Sequence, residues 1–267
     1  MQKTYSTKEL ANIVGVHVNT LRFYEKIGFL TKPERKENGY RIYTDLHLEQ
    51  CKVIRLAMKA EVLQNGLRKK AVEIVQLCAE KRFDDSIAAS KEYLTMIENE
   101  MAGAQRAIIA VEGMLSHNEV KTVSTLGRKE AAKILHVTPE TLRTWERSGL
   151  ISMEKQNGYR CYSQSDMERL NIIRTLRLAN YSLSAILRFM KGLDSSSNES
   201  VESLLNNPAP DEDIVSVCDK LIHSLQGVAF DARILTVMLN QMKKDLSTLQ
   251  CNTTPSLLKY TDFIQRG

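Results

Sequence analysis

The sequence holds no uninterrupted apolar run of about 18 residues, the length a helical membrane span needs. No charged start leads into a short apolar stretch either. Both absences point to a soluble, cytoplasmic chain. Cysteine is scarce and odd in number, at Cys51, Cys78, Cys161, Cys218 and Cys251, with no CxxC pair. That pattern disfavours a disulfide framework, a zinc ribbon and an iron–sulfur cluster. The five histidines are isolated, and no glycine-rich phosphate loop, metal-ligand cluster or paired-carboxylate site stands out. No residue therefore qualifies as catalytic and no cofactor is implied; the chain is expected not to be an enzyme.

What is present is an ordinary apolar content of 43% over 267 residues, enough for a folded chain of two to four modules. The net charge of +5 is unevenly spread. Residues 1–60 carry eleven Lys and Arg against six Asp and Glu, and residues 125–180 carry ten against six. Two basic patches are thus separated by acidic material. Such patches suit a polyanion such as DNA, with plain solvated surfaces as the alternative.

Each patch contains one copy of an internal repeat. TLRFYEKIGFL at 20–30 returns as TLRTWERSGLI at 141–151. Glu9, Ala11, Ile13, Val16, Leu21, Glu25 and Gly28 recur 121 positions later, and Asn38-Gly39-Tyr40-Arg41 with Tyr43 recurs 119 positions later. Ser6-Thr7-Lys8-Glu9 is a capping-box pattern, and Leu10, Ile13 and Val14 form a helical stripe that Gly15 breaks. A second helix is expected from about Val18 to Ile27; in the second copy Thr138-Pro139 caps and starts its equivalent. Helix, tight turn, helix is the helix-turn-helix pattern, whose second helix enters the major groove. The Asn-Gly turn and Tyr-Arg-x-Tyr that follow predict a small wing placing Arg41 and Arg160 beside the DNA backbone. A further helix begins near Asp45 and Ser165, with Leu48, Cys51, Ile54 and Leu56, or Met167, Leu170, Ile173 and Leu176, packing it back on the pair.

Leu21 and Leu142 are assigned to the core. Asn19, Thr20, Arg22, Phe23 and Lys26 then lie on or near the opposite face, as do Glu140, Thr141, Arg143, Thr144 and Arg147. Arg22 and Arg143 could clamp phosphates or reach a guanine edge, against the alternative of surface ion pairs. Tyr24 and Trp145 divide evenly between core packing and phosphate contact by their polar tips. Thr7 and the wing tyrosines Tyr40, Tyr43, Tyr159 and Tyr162 complete the candidate contact set.

The string T-L-R-[FT]-[YW]-E-x-x-G-[FL]-[LI], followed by N-G-Y-R-x-Y, resembles the MerR family of bacterial transcription regulators, over residues 5–80 and 126–190. The resemblance implies a mainly α fold: two winged helix-turn-helix domains, each followed by a long coiled-coil helix, the two helices pairing antiparallel. It implies double-stranded DNA and RNA polymerase as partners, and a near-palindromic promoter element that is bent and untwisted. It also places Arg35, in Pro33-x-Arg35, on a phosphate; the second copy has Met153-Glu154-Lys155 there and no matching arginine.

After each head the apolar residues keep a heptad rhythm, from Ile87 to Leu115 and from Ile214 to Leu249. The alternative is a pair of helices lying on a globular core. The expected division is a first head at 1–82, a coiled-coil helix at 83–116, a linker at 117–125, a second head at 126–194, a linker at 195–213, a coiled-coil helix at 214–250 and a tail at 251–267. The first long helix would run about 48 Å and the nine-residue linker could reach roughly 30 Å. One chain could therefore act as a pseudo-dimer; a homodimer with four heads is the alternative, and an architectural DNA-binding protein is the runner-up function. Metal-sensing relatives carry cysteines at the ends of the long helix, which makes Cys78, Cys218 and Cys251 the thin candidates for a metal site. An effector of unknown identity stays open.

Overall fold

The computed structural model describes residues 3–59, 66–116, 126–151, 154–156, 159–194, 199–207 and 220–253, and the side chains of 154–160 and 249–253 fall outside that description. The described residues are mainly helical and divide into two compact units, one from residues 1–96 and 228–267, the other from residues 97–227.

In the first unit, β1 (Thr4–Tyr5) leads into α1 (Thr7–Val14). The helix starts where Ser6 and Glu9 cap each other: the Ser6 amide donates to Glu9 Oε2 at 2.7 Å and the Glu9 amide to Ser6 Oγ at 3.3 Å. Gly15 ends it at φ 67°, a left-handed conformation that costs glycine no Cβ clash. Then α2 (Val18–Lys26) is followed by β2 (Glu34–Arg35), β3 (Arg41–Thr44), α3 (Asp45–Met58) and α4 (Leu67–Ala79). The strands form an antiparallel sheet in the order β1-β3-β2. Buried Gln50 ties these parts together, because its amide donates to Thr31 Oγ1 at 2.8 Å and to the Cys78 carbonyl at 3.1 Å.

The second unit repeats the plan. Leu126 bridges Tyr162 as Tyr5 pairs with Tyr43. It continues through α6 (Arg128–Ile134), α7 (Pro139–Arg147), β4 (Glu154–Gln156), β5 (Tyr159–Cys161), α8 (Gln164–Leu178) and α9 (Leu183–Asp194). Where the first unit has Gln50, the second has Arg169, which holds Asp194 through two hydrogen bonds of 2.7 and 3.0 Å.

The long helices are α5 (Phe83–Ser116) and α11 (Leu221–Thr253). Neither forms a body of its own: α5 supplies residues up to Met96 to the first unit and the rest to the second, and α11 is divided at Val228. Within the first unit their segments run antiparallel. Ser90 Oγ meets Thr236 Oγ1 at 2.9 Å, while Lys243 binds Asp84. Ile87, Ile97, Ala104, Ile108 and Val111 of α5 are buried, and so are Leu221, Leu225, Ala232, Leu235, Leu239 and Met242 of α11. Leu115 is exposed. Ile214, Cys218 and the linker at 117–125 lie outside the described residues.

One expected linker is partly helical. Residues Val201–Asn206 form α10, capped by Ser200, with Leu204 and Leu205 buried. The local composition is polar and hides this, because the stabilising contacts are distant in sequence: Arg188 on α9 donates to the Leu204 and Leu205 carbonyls, each at 2.9 Å. Gly192 permits the approach, since a Cβ there would sit 2.6 Å from Leu204 Cδ2. We expect Gly192→Ala to lower the unfolding free energy measured in urea by about 1 kcal/mol, net of the better helix propensity of alanine. Gly227→Ala in α11, where a Cβ meets nothing within 4 Å, should instead raise stability by about 0.5–1 kcal/mol.

Candidate nucleic-acid interface

The spacing of the helix selects the exposed face. Leu21 on α2 and Leu142 on α7 are fully buried. Asn19, Arg22, Phe23 and Lys26 sit at i, i+3, i+4 and i+7 on the opposite side, and all four are exposed, Phe23 to 55%. Glu140, Arg143, Thr144 and Arg147 hold the matching exposed positions on α7. Thr20 and Thr141 are half-buried at the edge of each face. His17 caps α2 through Nδ1, and Thr138 caps α7 through Oγ1.

The two faces differ in how far their polar groups are already used. Among the described residues, the side chains of Arg22 and Lys26 have no hydrogen-bond or ion-pair partner. On α7, by contrast, Arg143 Nη1 lies 2.7 Å from Glu140 Oε2, and Arg147 Nη1 lies 3.8 Å from Glu140 Oε1. Thr144 Oγ1 donates to the Glu140 carbonyl at 3.0 Å.

At the end of each helix stands a largely buried glutamate. Glu25 keeps 14% side-chain exposure and Glu146 keeps 13%. A carboxylate so placed needs a fixed cation. In the first unit that cation is Arg41, whose Nε donates to Glu25 Oε2 at 2.5 Å and Nη2 to Oε1 at 3.3 Å. In the second it is Arg128, whose Nε and Nη2 donate to the two Glu146 oxygens at 3.0 and 2.8 Å, and Tyr162 donates to the same carboxylate. The hydrogen bonds hold both guanidinium groups above their ordinary range, and burial together with Glu146 raises the Tyr162 hydroxyl.

Several sequence assignments change here. Arg41, read as a clamp on the DNA backbone, spends its guanidinium on Glu25 inside the head. Tyr43 and Tyr162 are fully buried and Trp145 nearly so, which removes all three from direct contact. Trp145 is therefore core. Tyr24 is half-buried, with its ring 6.2 Å from that of Phe29. Thr7 is half-buried on the first turn of α1. Arg35 at the end of β2 and Tyr40 on the β2–β3 loop are exposed, the latter to 71%, with Arg35 Nη1 donating to the Gly39 carbonyl at 3.3 Å. The side chains of Tyr159 and Arg160 lie outside the described residues. Arg128 was missed by inspection of the sequence, although the 121-residue offset sets it opposite Thr7 and marks a cation gained in the second copy.

Cys78 is buried and its thiol is pushed up to about 12 by that burial. Cys218 and the Cys251 side chain lie outside the described residues. Among those residues no group of three or more His, Cys, Asp or Glu could hold a metal ion, and no helix is long and apolar enough to cross a membrane.

Two family profiles match these units: the MerR family regulatory protein over residues 6–43, and the MerR HTH family regulatory protein over residues 128–193. The chain thus carries two MerR-like units, one matched by each profile. It is similar to the HTH-type transcriptional regulator CueR of Escherichia coli O6:H1, at 45% identity over 49 residues, covering 18% of this chain and 36% of that protein. The HTH-type transcriptional regulator ZntR of Escherichia coli K12 matches at 39% over 59 residues, 21% of this chain and 42% of its own. The mercuric resistance operon regulatory protein of Bacillus cereus matches at 40% over 47 residues, 18% and 36%. The chain thus spans less than half the length of each of these three relatives. No solved structure matches.

The buried pair in the first head gives a direct check. Arg41→Met should cost about 1–2 kcal/mol in urea unfolding, less than for a fully buried pair, because Arg41 keeps 24% and Glu25 14% exposure. Adding Glu25→Leu should recover most of that loss, since the charge left unpaired is then gone.

Proposed function

We propose that the chain is a sequence-specific DNA-binding transcription regulator. Its two unlike heads act as a single-chain pseudo-dimer on an imperfect palindromic promoter element, which they bend or untwist for RNA polymerase. One observation carries this: two capped helices, each following a tight turn in a MerR-like unit, present a guanidinium at the same exposed position, Arg22 and Arg143. Most positions kept by both copies already have a structural task. Leu21 and Leu142 fill cores, Glu25 and Glu146 anchor buried pairs, and Gly28 and Gly149 take positive φ. The paired exposed arginines anchor no core group, Arg143 meeting only the exposed Glu140, and exposed cations on a groove-sized helix are what phosphates and guanine edges require.

The heads are assigned to residues 1–82 and 126–194, with β2–β3 and β4–β5 as their wings. The rest follows from the pairing of the long helices. Within the first unit α5 and α11 of one chain already pair antiparallel, through Ser90 with Thr236 and Asp84 with Lys243, which supports a partner helix supplied by the same chain. Residues 83–116 and 221–253 would then be the antiparallel coiled coil that joins the heads. The basic patches around each head would draw the chain to DNA and make binding steeply salt-dependent.

Two measurements test this. Light scattering should give the monomer mass of 30.3 kDa in solution; a stable mass of twice that would replace the pseudo-dimer with a homodimer carrying four heads. In DNA-binding assays Arg22→Ala and Arg143→Ala should each weaken binding by about 1–3 kcal/mol. No loss from either substitution would refute the assigned role.

A further inference from the structure

We propose that Glu140 acts as a brake on the second head: it occupies that head's groove-facing cations and so suppresses binding to non-specific DNA, leaving the first head as the anchor. This rests on the DNA-binding reading above. The two exposed faces carry cations at the same two positions, Arg22 and Lys26 on α2 and Arg143 and Arg147 on α7. On α2 the position equivalent to Glu140 is Asn19, a neutral side chain, and the two cations that follow it, Arg22 and Lys26, have no ion-pair partner among the described residues. On α7 the single carboxylate of Glu140 reaches both following cations, Arg143 at 2.7 Å and Arg147 at 3.8 Å.

Each of those contacts is weak in water, as exposed ion pairs are, so the brake is one that DNA can release. What matters is the cost of releasing it. Approach of a phosphate backbone must break the pairs and bring a carboxylate against a polyanion. Non-specific affinity comes almost wholly from phosphates neutralised by cations. A head whose cations are held by its own acid therefore gains little from a random sequence, and engages fully only where base contacts make up the difference. Glu140 thus separates specific from non-specific binding in the second head, while the first binds both.

The test uses the full-length chain and a fluorescein-labelled duplex of random sequence, with affinity followed by anisotropy across a sodium chloride series. Glu140→Gln should tighten binding roughly three- to tenfold at low salt and steepen the slope of log affinity against log salt by about one, the value for one added phosphate contact. The reciprocal Asn19→Glu in the first head should weaken the same binding and flatten the slope by a similar amount. If Glu140→Gln leaves affinity and slope unchanged while Arg22→Ala still weakens binding, the brake is refuted and the DNA-binding reading stands. If the wild-type chain does not bind the duplex, or neither Glu140→Gln nor Arg22→Ala changes its binding, the DNA-binding reading fails and the brake with it.

Discussion

A glutamate buried at the end of each exposed helix is the constraint around which both heads are organised. Glu25 and Glu146 keep only 14% and 13% side-chain exposure, and a part-buried carboxylate that loses its cation loses a stabilising partner that water only partly replaces. The first head meets the demand with Arg41, from the strand that follows the β2–β3 loop, so that pair ties the strand to the helix. The second meets it with Arg128, from the start of the preceding helix, and with Tyr162. One requirement thus has two solutions, and each fixes the roll of its helix. With Leu21 or Leu142 in the core and the glutamate anchored, the face at i, i+3, i+4 and i+7 has no choice but to point outward.

That outward face is where the two copies diverge. The core leucines Leu21 and Leu142, the paired glutamates and the positive-φ glycines Gly28 and Gly149 keep their identity across the repeat because each answers a local physical need. Asn19 against Glu140, Phe23 against Thr144 and Lys26 against Arg147 answer none. Two heads in separate identical chains cannot differ at all, whereas two heads in one chain can. An exposed phenylalanine offers a thymine methyl a larger apolar contact than the methyl of a threonine whose hydroxyl is bonded to its own helix.

What could be seen in the sequence was what depends on neighbours in the sequence. The capping box at Ser6 and Glu9, the Thr138-Pro139 start, the break at Gly15 and the heptad rhythm of α5 and α11 are all short-range patterns, and all correspond to elements at those places. What stayed hidden depends on long-range packing. Trp145 could be placed as core only once its surroundings were known, and Arg41 read as a free cation until Glu25, sixteen residues away, was found to hold it. The helix α10 lay within a polar stretch because its support comes from Arg188 and Gly192 on another helix. The exposed face of each helix was legible from periodicity; the partners that occupy Arg143 and Arg147 were not.

The central claim is that one chain reads two unlike half-sites. The most direct measurement is selection of duplexes from a random pool by the full-length chain, followed by sequencing of the bound fraction. The account predicts a two-part element at fixed spacing whose halves differ, as the α2 and α7 faces differ. Recovery of a perfect palindrome would contradict it.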